Sequence, residues 1–215
     1  MLPEDVYTVD VITSDAVGNH DVYAVQRIHE WNYEAFISAT NSPDIGVVYL
    51  DQWGAASNGV TAHSEVTGEP VGLGEDWEIG STVWFEVEKE HEIFANLPPG
   101  QYVQVHEGYW AEHSWFDETD FELVASVGAY DQNDYQTKGG AIAVDDATNT
   151  VLASSLGYSW YVNQEHYTSS ANVVLGNTVQ YVSWMLANGT PHESVGTIST
   201  VQPTQSNGGY LSYAG

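Results

Sequence analysis

Apolar and polar positions fall into three zones along the chain, each with its own period. In the first, YTVDVIT (7–13) and DVYAVQRI (21–28) are rich in β-branched and aromatic residues, and the polar, turn-forming SDAVGNH separates them. Two strands are predicted there. Asn32 can cap a short helix over YEAFISAT (33–40), which NSPDIG (41–46) ends. GVVYLD (46–51) is a continuous apolar run of the kind found in a parallel strand buried on both faces. A second helix is predicted from about Ala55 to Val66. The strand–helix–strand order over 21–51 predicts a right-handed βαβ unit.

The middle zone has a period of two. WEIGSTVWFEVE (77–88), QYVQVHE (101–107) and FELVASV (121–127) alternate apolar with polar residues and predict strands partly open to water. HEIFANLPPG (91–100) reads as a loop, and GYWAEHSWFDETD (108–120) as an aromatic and acidic connection. The last zone returns to α/β order. GGAIAVDD (139–146) and TNTVLASSLG (148–157) predict a hairpin, and YSWYVNQEHYTSS (158–170) a loop. ANVVLGNTVQYVSWMLANG (171–189) has helical spacing, with Val174, Tyr181 and Met185 on one face and Gly189 as C-terminal cap. Residues 1–190 are therefore expected to form a single α/β domain, and 191–215 a last strand and linker.

Composition changes the picture in one respect. Against 30 Asp and Glu stand only three cations, Arg27, Lys89 and Lys138, for a formal net charge of −27 over 215 residues. The acid is scattered rather than gathered in a tail, so it is expected to cover a folded surface. Such a surface repels itself in dilute salt, where the Debye length is roughly 10 Å, and is relieved at molar salt, where it is about 3 Å. Adaptation to strong brine is the expectation. Nucleic acid is excluded as a partner, because its binding rests on cations set against phosphates. The absence of Cys excludes disulfides, Cys-ligated zinc and thiol nucleophiles. No apolar run approaches the roughly 20 residues of a membrane span. The start, MLPEDVYTVDVI, lacks the basic and apolar regions of a signal peptide, which leaves a cytoplasmic protein or a piece of a longer chain.

The segment after GVVYLD follows the carboxyl end of a predicted strand, where α/β proteins place their chemistry. Gly54 and Gly59 have phosphate-loop spacing, but Val60 stands where the lysine is needed. Ser57 has Ala55 two residues before it, so no nucleophile elbow forms. His106, Glu107 and His113 could converge on a metal, although their spacing is not that of two histidines on one helix face. Asp145–Asp146 and Asp117–Glu118 could take Ca²⁺ or Mg²⁺ weakly; no other cofactor is expected. Thirty carboxylates supply too many pairs for glycosidase chemistry to be singled out. Trp31, Trp53, Trp110, Trp115, Trp160, Tyr109 and Tyr158 fall at predicted strand ends or loops, several beside His or acid, as suits a sugar or protein surface. Packing beneath long loops is the alternative for them. Trp84 and Trp184 fall inside elements and are expected in the core.

Several stretches together resemble the ThuA-like branch of the class I glutamine amidotransferase-like superfamily. HEIF (91–94) is similar to that branch's H-P-I-F, with Glu92 in place of Pro. GGAIAVDDATNTVLASSLG resembles its late hairpin, NTVQYVSWML (177–186) its final helix, and DVYAVQRI with GVVYLDQWG its two central strands. YLDQWGAASNGVTAHSEVTGEP resembles domains appended to secreted haloarchaeal proteins, including subtilisin-like proteases. The resemblance implies a flavodoxin-like three-layer α/β fold with flanking helices, here lacking the first β-α unit. It also implies a Cys nucleophile and a His-Glu pair. Gln52 and Trp53 lie near the first of these positions, and Glu165 and His166, in reversed order, near the second. Without the thiol the pair has nothing to activate, so amidotransferase activity is not expected.

The leading expectation is a non-catalytic accessory domain of a secreted or surface protein of a halophile. It would bind a partner domain, a polymer or a glycan through His29, Trp31, Asp51, Gln52, Trp53, Trp110, Trp160, Glu165 and His166. The sequon Asn188-Gly-Thr190, followed by Pro191, adds slight weight to an outside location. The alternatives are a hydrolase using Asp51, His106, Glu107, His113 or His166, and a structural assembly subunit; the alternative location is the cytoplasm of a high-salt organism.

Overall fold

The computed structural model describes residues 6–14, 20–28, 45–49, 72–78, 83–106, 111–118, 121–131, 134–146, 150–153, 167–187 and 194–203. Among them, ten strands join one mixed sheet: β1 (Val6–Ser14), β2 (His20–Ile28), β3 (Ile45–Tyr49), β4 (Gly72–Glu78), β5 (Val83–Val87), β6 (Tyr102–His106), β7 (Ala111–Glu118), β8 (Glu122–Asp131), β9 (Asp134–Asp145) and β10 (Thr150–Ala153). One helix, α1 (Ser169–Ala187), packs on it. The hydrogen-bonded order is β1-β2-β3-β10-β9-β8-β5-β6, with β7 joined to β9 and β4 to β7. The protein has α/β character.

The described part of the apolar run at 46–51 lies in a strand with parallel neighbours, as expected. β3 lies parallel to β2 on one side and to β10 on the other. A strand in such a position hydrogen-bonds along both edges, which suits a continuous apolar run. β9 and β10 form the expected hairpin, with Thr150 opposite Asp145. Val151, Leu152 and Ala153 are all buried, as are Ala141 to Val144. The predicted helices at 33–40 and 55–66, and the cap at Gly189, lie outside the described residues.

In the middle zone three expectations are corrected. WEIGSTVWFEVE is not one strand: Trp77 and Glu78 end β4, and Val83 begins β5. The alternating strands are also less open than their period suggests. In β5 both Trp84 and Phe85 are buried, and Val124 to Gly128 of β8 are all buried; since successive side chains point to opposite faces, both faces of the sheet are covered there. Finally, 111–118 is no loop but β7, paired with β4 along its length and with β9 at Phe116–Gly140. Trp115, expected on a loop, is half-buried against the core.

α1 touches β6 and the turn before it, and also β10, β3, β2 and β1. Eight strands laid flat would span roughly 34 Å at their usual spacing. A 19-residue helix is only about 28 Å long. To meet one helix with both ends of its path, the sheet curls around it. The core lies in that concavity: Phe85, Val103, Val127, Ile142 and Val151 from the sheet, Ile93 and Phe94 from the turn, Val174 and Val182 from the helix.

Residues 194–203 lie along α1 and β6 with no strand among them; the rest of 191–215, where a last strand was expected, lies outside the described residues. Ile198 joins the core, and the Val201 N–H donates to the Tyr102 carbonyl at 3.0 Å. At the other end of β6, Tyr167 forms a β-bridge with His106, and the Thr168 N–H donates to the Val105 carbonyl at 3.1 Å. The outer edge of β6 is thus covered at both ends by other chain. Contact between segment and helix is interlocked. A methyl group built on Gly176 would meet Val195 Cγ2 at 2.9 Å, and one on Gly196 would meet Val173 Cγ2 at 2.8 Å.

Gly176→Ala should therefore lower stability, although alanine is favoured over glycine in a helix by about 1 kcal/mol. Overpacking against a stiff valine costs about 1–3 kcal/mol. The expected result is a thermal midpoint lowered by a few degrees; a rise would show that Val195 yields freely.

Candidate functional site

Strand direction organises the molecule into two edges. Working through the pairings, β2, β3, β6, β8 and β10 run one way and β1, β5 and β9 the other. The carboxyl ends of β2, β3, β6 and β10 therefore share one edge of the sheet. From that edge the chain leaves toward 29–44, 50–71, 107–110 and 154–166. These segments carry every nominated binding residue: His29, Trp31, Asp51, Gln52, Trp53, Trp110, Trp160, Glu165 and His166. All of them, and Glu107, lie outside the described residues.

The described part of this carboxyl-end edge holds His106 and the start of α1. His106 is 2% exposed, and its ring meets that of Tyr167 edge-on at 5.2 Å. Thr168 begins the helix. Its hydroxyl donates to the Gln104 carbonyl at 2.6 Å and accepts from the Ala171 N–H at 3.0 Å, as an N-cap residue does. The helix amino end is thereby fixed against β6. His113 lies on β7, opposite Asp76 of β4. β5, β8 and β9 separate β6 from β7 in the hydrogen-bonded order, so His106 and His113 are not neighbours in the sheet. No group of three or more His, Asp or Glu able to hold a metal forms among the described residues.

The opposite edge carries a second constellation, built on HEIF. His91 to Leu97 form a tight turn around a 3-10 helix, Glu92–Phe94. His91 Nδ1 accepts from the Ile93 N–H at 3.2 Å. A neutral ring with that nitrogen as acceptor carries its proton on Nε2. The His91 ring meets Tyr181 of α1 edge-on at 4.6 Å, and the Tyr181 hydroxyl donates to Asp146 Oδ1 at 2.5 Å. Burial, then the bond to Asp146 and that carboxylate's charge, hold the Tyr181 hydroxyl far above its usual titration range. Burial also pushes His91 below the ordinary histidine value, against the opposing pull of Glu92, Asp146 and Glu122. Lys89, nearby, is paired with Glu122.

Beneath the turn lies Asn177, 0% exposed. Its Nδ2 donates to the Ile93 carbonyl and to Ser194 Oγ, each at 3.1 Å, and its Oδ1 accepts from the Val195 N–H at 2.9 Å. Sequence reasoning did not single out Asn177. The signal was present: an amide three residues after Val174 and four before Tyr181, on the apolar face of a helix. His91 entered only through a resemblance, and Asp146 only as half of a weak cation pair, now engaged by Tyr181. The chemistry of this edge is that of holding: the imidazole caps, the phenol anchors and the amide ties.

Comparisons with known proteins bring no relative to the site: no family model, no curated protein and no solved structure matches the chain.

Because His91 is held neutral, acid should loosen this edge. A histidine whose folded pKa lies below the unfolded 6.5 contributes fully above that value and loses its contribution as pH falls below it. In molar salt, the denaturation midpoint of the native protein should fall between about pH 7.5 and about pH 5.5 by more than that of His91→Asn. The variant keeps an acceptor for the Ile93 N–H but cannot titrate. Equal falls would remove His91 as the cause.

Proposed function

We propose that this chain is a non-catalytic accessory domain of a secreted or surface protein of a halophile, and that it holds a partner domain, polymer or glycan at its carboxyl-end edge. The observation that carries the reading is the shared direction of β2, β3, β6 and β10. It sends the segments bearing Trp31, Asp51, Gln52, Trp53, Trp110, Trp160, Glu165 and His166 off one edge of one sheet. In α/β sheets ligands bind beyond the carboxyl ends of strands. Indoles interspersed with carboxylates and amides suit a hydroxylated or peptidic surface.

The reading takes the parallel set β2–β3–β10 with α1 as the core of a flavodoxin-like, three-layer arrangement akin to the ThuA-like domains. On that view the second helical layer is supplied by the helices the sequence predicts at 33–40 and about 55–66, which lie outside the described residues. Halophily rests on the charge of −27 and on screening.

Two measurements test the proposal. Thermal melting from molar salt down to about 0.1 M should show a steep loss of stability as screening is withdrawn; an unchanged midpoint would remove the halophile. Binding should then be measured in molar salt against a panel of oligosaccharides, cell-surface polymers and candidate partner domains. Trp53→Ala is expected to weaken the positive interaction about tenfold or more, a loss of about 1.4 kcal/mol, with little change in melting. A variant that melts far earlier but binds as well per folded molecule would make Trp53 a core residue. Hydrolysis of a panel member would replace the accessory role with the enzyme.

A further inference from the structure

The turn from His91 to Leu97 is not a conformation the chain would choose. Ala95 and Asn96 lie consecutively in the left-handed region, with φ of 52° and 58°. Asn tolerates that region; Ala pays about 1–2 kcal/mol to enter it. Strain of this kind persists only where the surroundings over-determine it. Here they do. The Phe94 and Asn96 N–H groups donate to the His91 carbonyl at 3.0 Å each, and the His91 ring caps Ile93. From outside, the turn is held by Ile93 and Phe94 buried in the core, by the His91 ring against Tyr181 and by the Asn177 amide on the Ile93 carbonyl.

That same amide is shared. Its second N–H goes to Ser194 and its oxygen takes the Val195 N–H. Ser194 Oγ in turn donates to the Gly196 carbonyl at 2.7 Å, which closes the segment on itself. Further along, the Ser199 N–H donates to Ser170 Oγ at 3.0 Å, and Ile198 is buried. Gly176 and Gly196 each receive a valine from the other side. With the segment in place, every polar atom of the Asn177 side chain is matched in a dry site. With the segment lifted, water reaches the amide and competes for the Ile93 carbonyl.

We infer that residues 194–203 are a clasp: docked on α1 through Asn177, they hold the 91–97 turn in its strained form, and their release loosens it. The turn and the clasp are 84 and 17 residues from Asn177 in sequence, so the coupling is tertiary. Anything that pulls on or captures the clasp is thereby felt at His91, Tyr181 and Asp146. The coupling is reciprocal, as any coupling free energy between two sites must be. It stands apart from the proposed binding role: the clasp reaches the start of α1 through Ser170, but none of the residues proposed for binding takes part in it.

Hydrogen–deuterium exchange on the full chain in molar salt tests it. Gly196→Val wedges the clasp away from Val173; Ile198→Ala weakens it gently and from a distance. Either should raise exchange at the Phe94, Ala95, Asn96 and Leu97 amides about tenfold, while amides of β8 and β9 change by less than about twofold. In the reverse direction, His91→Ala should speed exchange at Val195 and Ser199. If Gly196→Val does not fold, Ile198→Ala decides the matter. Turn amides that stay protected while Val195, Ser199 and Val201 exchange freely would overturn the inference. So would turn and sheet amides accelerating together, which is ordinary loss of global stability, or a silent clasp in His91→Ala.

Discussion

Asn177 lies wholly out of water on the inner side of α1, and its carboxamide ties two distant stretches of chain, the 91–97 turn and residues 194–195, to the helix. Burying such a group costs several kcal/mol if its bonds go unmade and little if they are all made. The cost of a mismatch enforces the arrangement. The Ile93 carbonyl, the Ser194 hydroxyl and the Val195 N–H must converge on one point, and that fixes the register of the turn and of the closing segment against the helix. An apolar side chain at 177 could fill the same space but would specify none of these positions.

The two edges of the sheet are built differently. At the carboxyl ends of β2, β3, β6 and β10 the chain departs in several segments, and the aromatic and acidic candidates travel with them. At the opposite edge the segments are short and cross-tied: β5 to β6 through the strained turn, β9 to β10 through a hairpin. Polar groups there serve one another. A division between a tied edge and a departing edge is the arrangement expected when one side of a sheet supports and the other presents.

Much of this was legible in the residues, for identifiable reasons. The strands at 6–14, 20–28, 45–49 and 150–153 declared themselves through β-branched runs bounded by turn residues, and α1 through its spacing from Val174 to Tyr181. The middle of the chain was harder. Alternation tells which side of a strand faces out only when one side is bare, and in β5 and β8 consecutive residues are buried, so both faces are covered by chain that no local pattern announces. β7 hid among acids and aromatics because its partners, β4 and β9, lie on either side of it in the chain. Residues 194–203 gave no periodic signal at all, since a segment held by scattered hydrogen bonds to Tyr102, Ser170 and Asn177 needs none. The candidate binding residues were chosen by chemistry and position and lie outside the described residues; the shared direction of the strands that precede them is something no local pattern encodes.

The covered edge of β6 has a meaning of its own in a chain so acidic. A common safeguard against sheets joining edge to edge is a row of charges that keeps approaching strands apart. That safeguard fades as ions accumulate, because the field it depends on is screened within a few ångströms. Salt that strengthens apolar burial would favour stacking at the same moment. A hydrogen bond already made to the strand's own chain suffers neither change. By spending Val201, Tyr167 and Thr168 on β6, the fold guards that edge against fibre growth by occupation rather than by repulsion, and occupation works at any ionic strength.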